Sequence, residues 1–177
     1  QLILNGGVGV TVELQSAATK WNYYSPIALA SLPDGAGVSA LTAIAQNADG
    51  AYANSRNFSF QMLAQLAPQN SDAAQALLNF ISNNQVPAGA WRGIVAALSG
   101  DQMSYSGMTP PAGVTNPKSS HIAANDQNFS SWNYAAIWTP QQREAQLALI
   151  DRLMAVNPQA QAQLSAMRAA LAAGSSQ

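Results

Sequence analysis

The sequence predicts an all-α protein, in which antiparallel helix pairs form a short α-solenoid or an irregular helical bundle, with one long aromatic-rich loop. Three observations predict it. Apolar side chains recur every three to four positions through most of residues 25–100 and 139–173. Proline, glycine, Asn and Asp punctuate those runs where helices would start and stop. The 177 residues are 48% apolar, enough to bury the core of one domain without disulfides or metals.

Residues 1–24 read as an N-terminal arm. Val8, Val10, Val12 and Leu14 alternate with Gly9, Thr11 and Glu13 after Asn5-Gly6-Gly7, which is strand periodicity after a turn. Thr11 to Lys20 is equally able to open a helix, so the arm is a short strand or extended segment and then a helix. Helical hairpins occupy 25–100. Ser25-Pro26 caps a short helix over Ile27 to Leu32, which Pro33-Asp34 ends. Val38, Leu41, Ile44 and Ala48 mark a second helix, closed by Asp49-Gly50. Phe58, Met62 and Leu66 mark a third, from Asn54-Ser55 to Pro68. Ser71-Asp72 caps a fourth, with Ala74, Leu77, Leu78 and Ile81 on its apolar face and Asn83-Asn84 at its end. Pro87 opens a fifth, with Trp91, Ile94, Val95 and Leu98 at helical spacing and Gly100 in place for a left-handed C-cap.

Residues 139–173 read as a C-terminal helical hairpin. Thr139-Pro140-Gln141-Gln142 is a capping-box pattern with proline at the first helical position. Leu147, Ile150, Leu153 and Met154 carry its buried stripe. Asn157-Pro158 restarts the chain as a final helix, with Leu164, Met167 and Leu171 on one face. The short connection makes the two helices antiparallel neighbours.

Leu29 to Pro33 is echoed by Leu63 to Leu66 with Pro68, and again by Ala96 to Ser99. Leu32, Leu66 and Leu98 are spaced at a period typical of helix–turn–helix units. Over residues 25–100 the chain therefore resembles HEAT-like or related alpha–alpha repeat proteins. The resemblance rests on hydrophobic spacing with Pro and Asp at turns, and it lacks the charged turn residues common in HEAT repeats. It implies stacked hairpins and carries no activity.

Residues 101–138 have no long helical pattern, and a connection of that length inside a compact domain is either functional or disordered. It holds Tyr105, Phe129, Trp132, Tyr134 and Trp138, five of the chain's thirteen aromatics. A short helix over Asn128 to Trp138 would face Phe129, Trp132 and Ala136 inward. Two readings follow: the aromatics cover the helix ends as satellite core, or Trp132, Tyr134 and Trp138 line a groove for a partner peptide or a sugar. Tyr105, Trp91 and Arg92 join them as candidate binding residues.

Composition narrows the function classes. Only 8% of residues are charged, against about 25% in an average soluble protein. Seventeen glutamines and many Asn and Ser replace them at the surface. The net charge of −1 offers no basic footprint for nucleic acid, and no apolar run is long enough to span a membrane. The charge-poor surface, with Gln1 in place of a starting Met, suggests a processed, secreted or periplasmic protein. One histidine, no cysteine and scattered carboxylates form no metal cluster, and no cofactor is expected. Gly113 to Ser119 imitates a phosphate loop, but Pro117 stands where that loop needs glycine. His121 is the sole general-base candidate with an ordinary pKa near neutrality. With Ser119 or Ser120 and Asp126 it makes a triad on paper, though triads are defined by geometry and not adjacency. The leading expectation is a binding or scaffold module that presents a groove to a protein or peptide partner. The rivals are a hydrolase centred on His121 and a purely structural domain of a larger protein.

Overall fold

Residues 25–105, 111–114 and 129–174 are described by the computed structural model. Within them run helices α1 (25–30), α2 (Val38–Gln46), α3 (Ala53–Leu66), α4 (Ser71–Ser82) and α5 (Trp91–Leu98). Strands β1 (Asp101–Tyr105) and β2 (Phe129–Asn133) follow, then helices α6 (Pro140–Ala155) and α7 (Pro158–Ala173). Short 3-10 turns at Pro33–Gly35, Gly50–Tyr52, Ala88–Ala90 and Ala135–Ile137 join them. The strand expected within residues 1–24 lies outside the described residues.

Helix α3 is the centre of the molecule. It packs against α2, α4, α5 and β1, while α6 and α7 reach back to α4 and α5. Seven consecutive α3 residues, Phe58 to Ala64, are buried, so no face of this stretch meets water. The stripe of Phe58, Met62 and Leu66 describes only one side of it. In a solenoid each unit would touch only its neighbours; here three helices and a strand surround one helix, which is an irregular bundle. Close packing on α3 depends on small residues. A Cβ at Gly93 of α5 would lie 2.8 Å from Gln61 Oε1. Phe60 of α3 meets Phe80 of α4 edge-on, with ring centroids 4.9 Å apart.

Helix ends follow the sequence closely. At α6 the Gln142 N–H donates to Thr139 Oγ1 (3.2 Å) and the Thr139 N–H to Gln142 Oε1 (2.9 Å), completing the capping box. Asn157 caps α7 by accepting from the Gln159 N–H at 2.7 Å. The cap of α4 falls one residue earlier than Ser71: Asn70 Oδ1 accepts from the Ala73 N–H at 2.9 Å.

Residues 101–138 correct the sequence reading. Strand β2 replaces the short helix expected over 128–138, and it pairs antiparallel with β1 in the register Asp101↔Asn133 through Tyr105↔Phe129. The Tyr134 N–H donates to the Gly100 carbonyl at 2.9 Å, which sets the hydrogen-bonding parity of the ladder. Odd-numbered residues of both strands therefore point their N–H and C=O groups away from the partner strand. On the β1 side this edge is closed by a side chain. Gln65 of α3 donates to the Met103 carbonyl (3.0 Å) and accepts from the Met103 N–H (2.8 Å), as a neighbouring strand would. Met103 itself is buried against the core.

Candidate functional site

The expected binding residues meet different surroundings. Trp91 is buried in the core, 4% exposed, with no hydrogen-bond partner for its Nε1. Its burial makes it a packing residue. Arg92, next along α5, is exposed. Tyr105 ends β1 and its side chain lies outside what is described, as does His121 together with Ser119, Ser120 and Asp126. Trp132, Tyr134 and Trp138 are all half-buried. Trp132 stands opposite Gln102 in the ladder, so the two share one face of the ribbon. Of the three, Trp138 lines a groove.

That groove is built where four elements converge. The end of α3 supplies Gln65, and the turn after it Gln69. Gln102 comes from β1, and Gln142 and Gln146 come from successive turns of α6. Trp138 closes one side, and Ala97 and Gly100 complete the lining. Trp138 is held firmly. The Arg143 guanidinium lies 5.8 Å from its ring centroid and donates to the carbonyls of Ala135 (2.8 Å) and Leu171 (3.1 Å). Gly100 adopts φ +105°, and a Cβ there would come within 2.9 Å of the Ala135 nitrogen and 3.2 Å of Trp138 Cζ2. Only glycine allows the chain this turn with the indole in place.

The amide inventory defines what the groove can do. Both ends of Gln65 are committed to Met103. Gln146 donates its Nε2 to the Leu98 carbonyl at 2.8 Å, leaving its Oε1. Gln142 Oε1 holds the α6 cap, leaving its Nε2. Among the described residues the side-chain amides of Gln69 and Gln102 make no hydrogen bond. The groove thus presents amide donors and acceptors beside one aromatic ring, with no charged side chain in its lining. Such a surface holds uncharged hydrogen-bonding groups, and it contains no side chain that exchanges protons near neutral pH. Its volume is about 110 Å³, well below the roughly 300–1,000 Å³ of a small-molecule site.

A larger cleft of about 490 Å³ lies between α2 and α4, lined by Val38, Ser39, Thr42, Gln46 and Asp72. It holds none of the aromatics, and Thr42 Oγ1 is committed to the Val38 carbonyl at 2.8 Å. Among the described residues no three His, Cys, Asp or Glu side chains gather where a metal would sit. None of the described helices is long and apolar enough to cross a membrane.

Sequence reasoning missed the glutamines, reading them as surface solubilisers. A signal was present: Gln65 with Gln69, and Gln142 with Gln146, are each four residues apart and so lie on one side of a helix or its extension. The fold and groove define a class, an all-α bundle with an uncharged, amide-lined groove beside a two-stranded ribbon. No family model, curated protein or solved structure matches this chain.

Proposed function

We propose that this chain is a binding module whose groove takes an uncharged side chain of a protein or peptide partner. The observation that carries the reading is the unpaired amides of Gln69 and Gln102 beside Trp138, in a lining without charge. Amides match the donors and acceptors of Asn, Gln, Ser or Thr side chains and of a peptide backbone. Trp138, fixed by Arg143, supplies flat apolar area at little entropy cost. The small volume favours one anchoring side chain of a larger partner over a whole small molecule or cofactor.

The test is to pan a peptide-display library on the full chain and measure the recovered peptides by calorimetry. Trp138→Ala is expected to weaken binding about tenfold or more, the effect of losing an aromatic hot spot. Gln102→Ala weakens it less, and Arg92→Ala leaves it unchanged. Peptides enriched in Lys, Arg, Asp or Glu at the anchor position, or affinity indifferent to Trp138→Ala, would overturn the reading. The rival hydrolase predicts a turnover abolished by His121→Ala, a substitution that leaves groove binding unaltered.

A further inference from the structure

We infer that the anchor taken by the groove is a primary carboxamide, the side chain of a Gln or Asn of the partner, and that Gln142 and Gln146 impose that choice. The inference rests on the reading of the groove as a peptide-binding site, and it adds the chemistry of the anchor. A free amide side chain can turn either end toward a guest, so by itself it selects nothing. Gln69 and Gln102 are of that kind. Gln142 and Gln146 are not. The Leu98 carbonyl can only accept, so Gln146 keeps its Nε2 there (2.8 Å) and its Oε1 on the other side. The Thr139 N–H can only donate, so Gln142 keeps its Oε1 on the cap (2.9 Å) and its Nε2 free. A backbone group thus locks each amide in one orientation.

Burial sets the depth of the two groups. Gln146 is 2% exposed, and its Oε1, unpaired among the described residues, is not sealed in the core. Gln146 lines the groove, so the access left to that oxygen opens there. Gln142 lies one turn earlier on α6, exposed at the rim. The groove therefore holds a fixed acceptor in its floor and a fixed donor at its rim, on side chains whose Cβ atoms are about 5–6 Å apart. A guest must donate at its tip and accept further out. Among uncharged side chains only Asn, Gln and neutral His carry a donor and an acceptor on separate atoms. A volume of about 110 Å³ favours the slim amide over the imidazole ring. A hydroxyl has both functions on one oxygen, too short to span floor and rim. A carboxylate sets an oxygen against Gln146 Oε1, and an ammonium sets donors against Gln142 Nε2. Trp138 offers the flat face of a guest amide an apolar wall.

The experiment is calorimetry of a peptide recovered by display, and of a panel substituted at its anchor, against the full wild-type chain and Gln142→Glu. The anchor is the peptide position at which alanine costs most, and Gln or Asn is expected there. Glu, Met, Ser or His in its place is expected to weaken binding about tenfold or more, the effect of a buried acceptor left without its donor. Gln142→Glu keeps the capping-box acceptor, so helical circular dichroism is retained while the rim donor is lost. This variant is expected to bind the amide-anchored peptide about tenfold more weakly and the Lys-substituted peptide more tightly than the wild type does. Loss of structure cannot produce that reversal. Binding that depends on Trp138 yet is as tight with Met, Ser or His at the anchor overturns this inference alone and leaves the groove reading standing. So does a folded Gln142→Glu with unchanged anchor preference. Binding indifferent to Trp138→Ala, or a library that yields no peptide, overturns the groove reading and this inference with it. If Gln142→Glu fails to fold, the peptide panel on the wild type decides.

Discussion

Gly100 sits at φ +105° between α5 and β1, pressed against Ala135 and Trp138. Gly100→Ala combines a left-handed backbone penalty of about 1 kcal/mol with overpacking of about 1–3 kcal/mol. We expect a loss of about 2–4 kcal/mol in urea unfolding, with a changed Trp138 environment by fluorescence. The glycine was legible in the sequence as a helix-end residue; its contact with Trp138 was not, because that neighbour is 38 residues away in the chain. Asp151 and Arg168 form a two-pronged ion pair, at 2.9 Å for both bonds. The hydrogen bonds from Arg168 hold the Asp151 carboxyl below its ordinary 3.8. A depressed carboxylate adds stability above its unfolded pKa, and that stability is lost as pH falls through the lower folded value. Arg168→Gln is expected to raise the Asp151 midpoint back toward the ordinary carboxyl range, read by side-chain NMR. Its effect on stability is small and salt-screened, because the two side chains are 36% and 50% exposed.

Helix boundaries are local events, so the sequence carried them. Thr139 with Gln142 and the proline after Asn157 locate the starts of α6 and α7 without reference to anything distant. Asn157 shows where local reading stops. Its Oδ1 caps α7, but its Nδ2 donates to the Ile81 carbonyl at 2.9 Å and to Asn84, tying the C-terminal hairpin to the end of α4. Asn157→Ala is expected to cost about 2–3 kcal/mol, from about 1 for the cap and the rest for the lost buried bonds. Asn157→Asp keeps the cap acceptor and loses the donor, so chemical denaturation should separate the two roles. The ribbon was not legible. Gln102-Met103-Ser104-Tyr105 alternates over only four residues, and Phe-Ser-Ser-Trp-Asn lacks the alternation of a half-buried strand. They are extended because each pairs with the other, and because Gln65 of α3 supplies β1 with a second partner.

At the scale of the whole molecule, low charge shapes behaviour more than any single contact. With 8% charged residues and an uncharged groove, peptide affinity should change by less than about twofold between low and near-molar salt. A steep salt dependence in calorimetry would place binding elsewhere. Leu32, Leu66 and Leu98 show how similar spacing meets unequal surroundings. Leu32 is 45% exposed, Leu66 half-buried and Leu98 fully buried. By itself the sequence determined the all-α class, the positions of the helices and their caps, because periodicity and capping act within a few residues. Only the tertiary structure decided that α3 is enclosed on all sides from Phe58 to Ala64, that Trp91 is core while Trp138 faces a groove, and that glutamines from four segments converge beside it. Those outcomes depend on which distant surfaces exclude water together, a property of the assembled bundle that no short stretch of chain encodes.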